Sequence, residues 1–189
     1  MSDKLPTGNK EHIAVVAVKI KNLRELLSTS SEALAVITKI VDKAKEAKAY
    51  VYEQGEYKTI MFVPKRLGEE AYMQAALFAK GAQEMLDEHN KKHALKISYG
   101  IGINLGEMII EWQDQKPKFT SAGTTTVAAK RAADMASDSL TMTESFHRKV
   151  AVTVKGERIA GKDLWTITRI IQRDGHTAFI DKFMKRQKK

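Results

Sequence analysis

Tyr99-Gly-Ile-Gly-Ile-Asn-Leu-Gly-Glu107 is the stretch on which the fold turns. Leu95 to Ile103 and Met108 to Trp112 are β-rich segments flanking Asn104-Leu105-Gly106-Glu107, which therefore predicts the turn of a hairpin. Polar Gln113 to Lys118 follows as a surface loop, and Phe119 to Ala122 as a short strand. Gly123 and three threonines then open a helix to Ala136, with Val127, Ala128, Ala132 and Met135 turned inward.

Working back toward the start, Glu69 to about His89 carries Met73, Leu77, Ala82 and Met85 or Leu86 at helical spacing. Ala49 to Val63 has the pattern of a hairpin turning at Gly55 and ended by Pro64. Thr29 to Lys48 places Leu34, Ile37, Val41 and Ala44 on one stripe, and Thr29 with Glu32 suggests a capping box. His12 to Ile20 reads as a buried central strand. Beyond Ala136, short strands are expected near Leu140, at Val150 to Val154 and at Leu164 to Ile171. Strand, helix, hairpin, helix, hairpin, helix describes an α+β sandwich. It has a mainly antiparallel sheet with helices packed on one face, resembling the ferredoxin-like layout.

The chain has 189 residues, 43% hydrophobic and 29% charged, enough for one domain with its own core. The absence of cysteine excludes disulfides, thiolate zinc sites and cysteine nucleophiles. The longest apolar run, Ile13 to Val18, is far short of a membrane span, and the start has no hydrophobic signal region. A soluble, cytoplasmic protein is the expectation. Residues 1–11 read as a disordered lead-in, 12–172 as the domain, and 173–189 as a basic amphipathic helix. In that tail Phe179, Ile180, Phe183 and Met184 alternate with Lys182, Lys185, Arg186, Lys188 and Lys189. Such a helix can dock on the sheet, bind a partner groove or lie on an anionic surface. The formal net charge of +9 permits contact with nucleic acid, nucleotide or membrane surface and names none of them. The five histidines form no ligand constellation, and neither a nucleophile elbow nor a Gly-x-x-x-x-Gly-Lys loop occurs.

Three stretches together resemble the class III adenylate and guanylate cyclase homology domain. They are Ile13 to Leu23, Gln54-Gly55-Glu56 with Phe62, and Tyr99 to Glu107 followed by Phe119-Thr-Ser-Ala-Gly123 and the helix carrying Arg131. The resemblance spans roughly Ile13 to Ile171. It implies a cyclase-type sandwich and a site shared across a head-to-tail dimer, in which two aspartates hold two divalent cations while an Asn and an Arg from the partner contact ribose and phosphate.

This sequence departs from that pattern at most positions. Lys19 stands at the first metal-ligand position and Glu56 at the second, so the resemblance implies no resident metal; magnesium or manganese would be needed only if the chain is an active cyclase. Val127 stands where the Asn is expected, Tyr52 at the purine-contacting Lys, and Thr120 at a partner position that is Asp in some members. Arg131 alone is unchanged. Read without the family, Lys19 inside an apolar strand needs an anion. It pairs with Glu56, snorkels to solvent, or binds phosphate. Thr124 to Thr126 with Arg131 form either a phosphate-facing edge or a capped, solvated helix start.

The leading expectation is a catalytically degenerate cyclase homology domain. It would dimerise with itself or with another cyclase-type domain as a signalling or scaffolding module, with residual nucleotide or anion binding near Lys19, Glu56, Tyr52, Thr120, Thr124 and Arg131. The rivals are an active purine nucleotide cyclase with an altered metal site and a basic nucleic-acid-binding module.

Overall fold

The computed structural model describes residues 8–121 and 123–171, and of residues 120 and 121 the backbone alone. The lead-in before Gly8 and the basic tail therefore lie outside the described residues.

The elements run β1 (Asn9–Ile20), α1 (Leu23–Thr29), α2 (Ser31–Glu46), β2 (Tyr50–Gln54), β3 (Tyr57–Phe62), α3 (Pro64–Leu67), α4 (Ala71–Lys92), β4 (Tyr99–Gln113), β5 (Lys116–Ser121), α5 (Gly123–Met135), β6 (Leu140–Thr143), α6 (Glu144–Val150), β7 (Val154–Arg158) and β8 (Leu164–Ile170). They build one sheet in the order β2-β3-β1-β4-β6-β8-β7, with β5 paired to β4 beside that path. All pairings are antiparallel except β4 with β6. The α+β class and the mainly antiparallel sheet are those expected.

The central strand alternates its side chains between two cores. Ala14, Val16, Val18 and Ile20 enter the larger core with residues of α2 and α4, whereas Ile13, Val15 and Ala17 enter a second with Ala129 and Ala133 of α5. Thus α5 lies on the face of the sheet opposite α2 and α4, so the helices cover both faces rather than the one face expected.

The expected second hairpin is placed differently. No turn forms at Asn104 to Glu107: β1 pairs with β4 without interruption from Ile20↔Tyr99 to Asn9↔Ile110, carrying the strand straight through Gly106. The chain reverses at Asp114-Gln115, inside the expected surface loop, with φ of 48° and 64°. Two consecutive positive φ values make the tight turn that matches strand twist, here without the glycine that normally advertises it.

The glycines of the opening stretch instead serve helix packing. Gly100, Gly102 and Gly106 share one face of β4 with Asn104. A Cβ on Gly102 would lie 2.7 Å from Ala132 Cβ and nearer still to the Ala129 carbonyl oxygen, and one on Gly106 would lie 2.5 Å from Thr125 Oγ1. The backbone of α5 rests directly on the backbone of β4. Its buried residues are Thr125, Ala129, Ala132 and Ala133, so Val127 and Met135, expected inward, are 45% and 48% exposed. Bulky side chains could not fit where the helix sits this close, so they turn to solvent. Asn104 pins the same contact, donating to the Thr125 carbonyl at 2.9 Å and accepting from Thr143 and Ser145 at 2.7 and 3.0 Å.

Smaller differences have local causes. Thr29 ends α1, an unforeseen helix anchored by buried Leu26, and Ser30 caps α2 by accepting from the Ala33 amide. The strand expected at Val150 to Val154 is instead the end of α6, a turn and the first residue of β7, because Phe146 and Val150 are buried at helical spacing. Among the described residues, no helix is long and apolar enough to cross a membrane.

Candidate functional site

Lys19 is the penultimate residue of β1, on the α5 face of the sheet, with Tyr57 and Gly100 as its cross-strand neighbours. The bare Gly100 lets the last turn of α5 come down beside it: a Cβ there would meet the Ala133 carbonyl and lie 3.0 Å from that of Ala136. That close approach delivers Asp134 to Lys19. The ammonium donates to Asp134 Oδ1 at 2.9 Å and stands 3.8 Å from Glu56 Oε2. Of the three alternatives for Lys19, pairing with an anion is what the structure has, and Asp134 is the nearer partner.

Further groups close around this pair. The Tyr57 hydroxyl donates to the same Asp134 oxygen at 2.5 Å. Two ammonium groups approach the Tyr57 ring, with Lys19 Nζ 5.1 Å and Lys130 Nζ 5.0 Å from its centroid. Lys130 also donates to Gln54 at 3.2 Å. Lys21, in the turn just after β1, donates to the Ala136 carbonyl and, at 3.5 Å, to that of Asp134. It therefore places a cation at the negative end of α5.

The electrostatics follow the contacts. The hydrogen bond to Asp134 holds the Lys19 ammonium above its ordinary pKa, against the opposing effect of burial. For Asp134, burial works against ionisation, but the hydrogen bonds from Tyr57 and Lys19 outweigh it and keep the carboxyl below its usual value. Burial, reinforced by Asp134, pushes the Tyr57 phenol up. The Lys19 ammonium is thus held closely by Asp134 at 2.9 Å and more loosely by Glu56 at 3.8 Å.

The other candidates lie apart from this knot. Arg131 is exposed on α5, one turn before Asp134, with no ion pair among the described residues. Val127, Arg131 and Met135 follow each other at four-residue steps, so they form one outward stripe. Tyr52 is 48% exposed on β2 and meets the ring of Phe119 edge-on at 5.8 Å. Thr124 is exposed. Thr125 turns inward and donates to the Glu107 carbonyl at 2.8 Å, so the three threonines do not form one outward edge. Thr120 lies in β5, its side chain outside the described residues.

Asp134, Tyr57, Lys21 and Lys130 escaped the sequence reading. Asp134 could have been found by its position one turn beyond Arg131, but only the depth at which α5 seats says that it reaches β1. A divalent cation does not fit the cluster as built, because the Lys19 ammonium takes the Asp134 oxygen that such an ion would need. No group of three or more histidine, aspartate or glutamate side chains is gathered for metal binding among the described residues.

No protein-family model and no curated protein sequence matches the chain. Solved structures do. The guanylyl cyclase Cya2 superposes with a TM-score of 0.65 at 14% identity, over 88% of this chain and 96% of that one. The guanylyl cyclase domain of the RhoGC fusion protein from the aquatic fungus Blastocladiella emersonii gives 0.65 at 17% identity, over 89% and 100%. The adenylyl cyclase CyaB from P. aeruginosa gives 0.58 at 12% identity, over 89% and 98%. The fold is that of the class III adenylyl and guanylyl cyclase domains.

Proposed function

We propose that this chain is a cyclase-fold domain that does not perform metal-dependent cyclisation and works as a dimerising signalling or scaffolding module. The observation that carries this reading is Lys19, whose ammonium lies 2.9 Å from Asp134 and 3.8 Å from Glu56, at a position where the resemblance calls for a metal-binding carboxylate. Cyclisation needs divalent ions to activate the ribose hydroxyl and neutralise phosphate charge. A tethered ammonium supplies one positive charge and no open coordination position.

Assembly through α5 is supported by the outward stripe of Val127, Arg131 and Met135. Exposed apolar groups around a cation suit a protein partner better than bulk water. One of the structurally similar domains is described as a non-canonical dimer. Arg131, unpaired among the described residues, is the group best suited to a phosphate or carboxylate brought by such a partner. Any nucleotide held there would be bound without a resident metal.

The deciding experiment is incubation of the purified chain with ATP or GTP in magnesium or manganese, alongside sedimentation. The reading expects no cyclic nucleotide and a concentration-dependent dimer, alone or with another cyclase-type domain. Cyclic nucleotide formation lost on Glu56→Ala or Arg131→Ala would overturn it. Nucleic acid binding with a steep negative salt slope would favour the basic-module rival instead.

A further inference from the structure

We infer that Lys19 is a built-in substitute for a bound cation, clasping α5 to the sheet and making the position of that helix independent of divalent ions. Three separate elements contribute oxygen atoms to one small volume: Glu56 from the β2–β3 turn, Tyr57 from the start of β3 and Asp134 from the last turn of α5. Two of the three oxygen groups are carboxylates. Left without a cation, they would repel each other and push α5 away from the hairpin.

The ammonium reaches this volume on a stem rooted in β1, between β3 and β4. The Lys19 side chain is 21% exposed, against 42% for Asp134 and 46% for Glu56, so it is less open to solvent than either carboxylate it meets. Lys21 secures the same turn through its carbonyls. Lys19 at the end of β1 and Lys21 just beyond it thus hold both the side chain and the backbone at the end of α5, the helix whose outer stripe carries Val127, Arg131 and Met135. A tethered cation costs no ion-binding equilibrium, so the stripe is presented at any metal concentration.

The geometry also says what removing the ammonium would leave: two carboxylates and a phenol around an open volume, which is the oxygen-rich setting a hard cation takes. Lys19→Ala should therefore exchange an internal cation for a dependence on an external one. The inference shares with the proposed function the premise that Lys19 keeps divalent ions out. Its test reads helix order rather than chemistry, so an active cyclase with an immobile, metal-insensitive α5 would refute only the proposed function.

The test is amide hydrogen exchange of residues 129–136, with thermal melting, on the full chain in EDTA and in millimolar manganese. Wild type should give the same exchange and the same Tm in both. Lys19→Met, which keeps the stem and deletes the charge, should exchange about three- to tenfold faster in this segment, the range of a half-exposed charge cluster. Lys19→Arg should retain protection. Lys19→Ala should lose protection in EDTA and regain it in manganese, whereas Lys19→Ala combined with Asp134→Asn should not regain it. Manganese stabilisation of wild type, unchanged exchange in Lys19→Met, or failure of manganese to protect Lys19→Ala would each overturn the inference.

Discussion

Replacing Gly102 by alanine tests whether the glycines of β4 exist to seat α5. The added Cβ would lie 2.7 Å from Ala132 Cβ and closer to Ala129 O and Ala133 N, all well inside the separations that real Cβ atoms show. Two of these three atoms are helix backbone, so no rotamer change can clear them. The whole helix must lift by about 1 Å to restore ordinary contact near 3.5 Å. Lifting it loosens Ala129 and Ala133 from Ile13, Val15, Met108 and Ile110 in the second core. Overpacking of this kind costs about 1–3 kcal/mol, and immovable obstacles place Gly102→Ala at the upper end. For a chain of this size that is a fall in Tm of about 6–12 °C. Two controls set the scale. Gly55 has φ of +56° and open space around it, so Gly55→Ala carries only the backbone penalty of about 1 kcal/mol. Gly123 has neither a positive φ nor a neighbour for its Cβ, so Gly123→Ala should leave Tm unchanged or slightly raised. Thermal melts followed by circular dichroism give the ranking directly. A Gly102→Ala loss no larger than that of Gly55→Ala would refute the reasoning.

Two further outcomes follow from buried polar groups. Asn104→Ala removes the link among Thr125, Thr143 and Ser145 at a site only 6% exposed, and should cost about 2 kcal/mol in denaturant unfolding; a loss below about 0.5 kcal/mol would mean that water replaces it. His89 is buried at the end of α4 and stacked on His93 at 4.3 Å, and burial first, then the neighbouring ring, lowers its pKa. The folded state then binds a proton less readily than the unfolded chain. Stability should be level above the ordinary imidazole value near 6.5 and should fall as pH drops below it, a slope that His89→Gln flattens. A wild-type profile that stays level between pH 7 and 5 would contradict this.

Much of the architecture was legible in the residues because it follows from local periodicity. The apolar run of Ile13 to Val18 could only be a central strand, the stripe of Ile37, Val41 and Ala44 could only be a helix face, and Gly55 marked its own turn. The β4 stretch misled because glycine carries two meanings. Gly106 read as a turn signal, whereas every second residue from Gly100 to Gly106 lies under α5, a helix that follows only after the next strand. Asp114 and Gln115 make the actual turn with side chains that do not announce it.

For the site, the sequence by itself determined the chemistry: a cation at position 19 in an apolar strand, an acid at position 56, an arginine at 131, and no cysteine anywhere. Only the tertiary structure decided the pairing. Asp134 is 115 residues from Lys19 and meets it because Gly100 has no side chain to hold α5 off the sheet. Composition and spacing carry the identity of charges, whereas the distance between them is set by how closely two backbones pack.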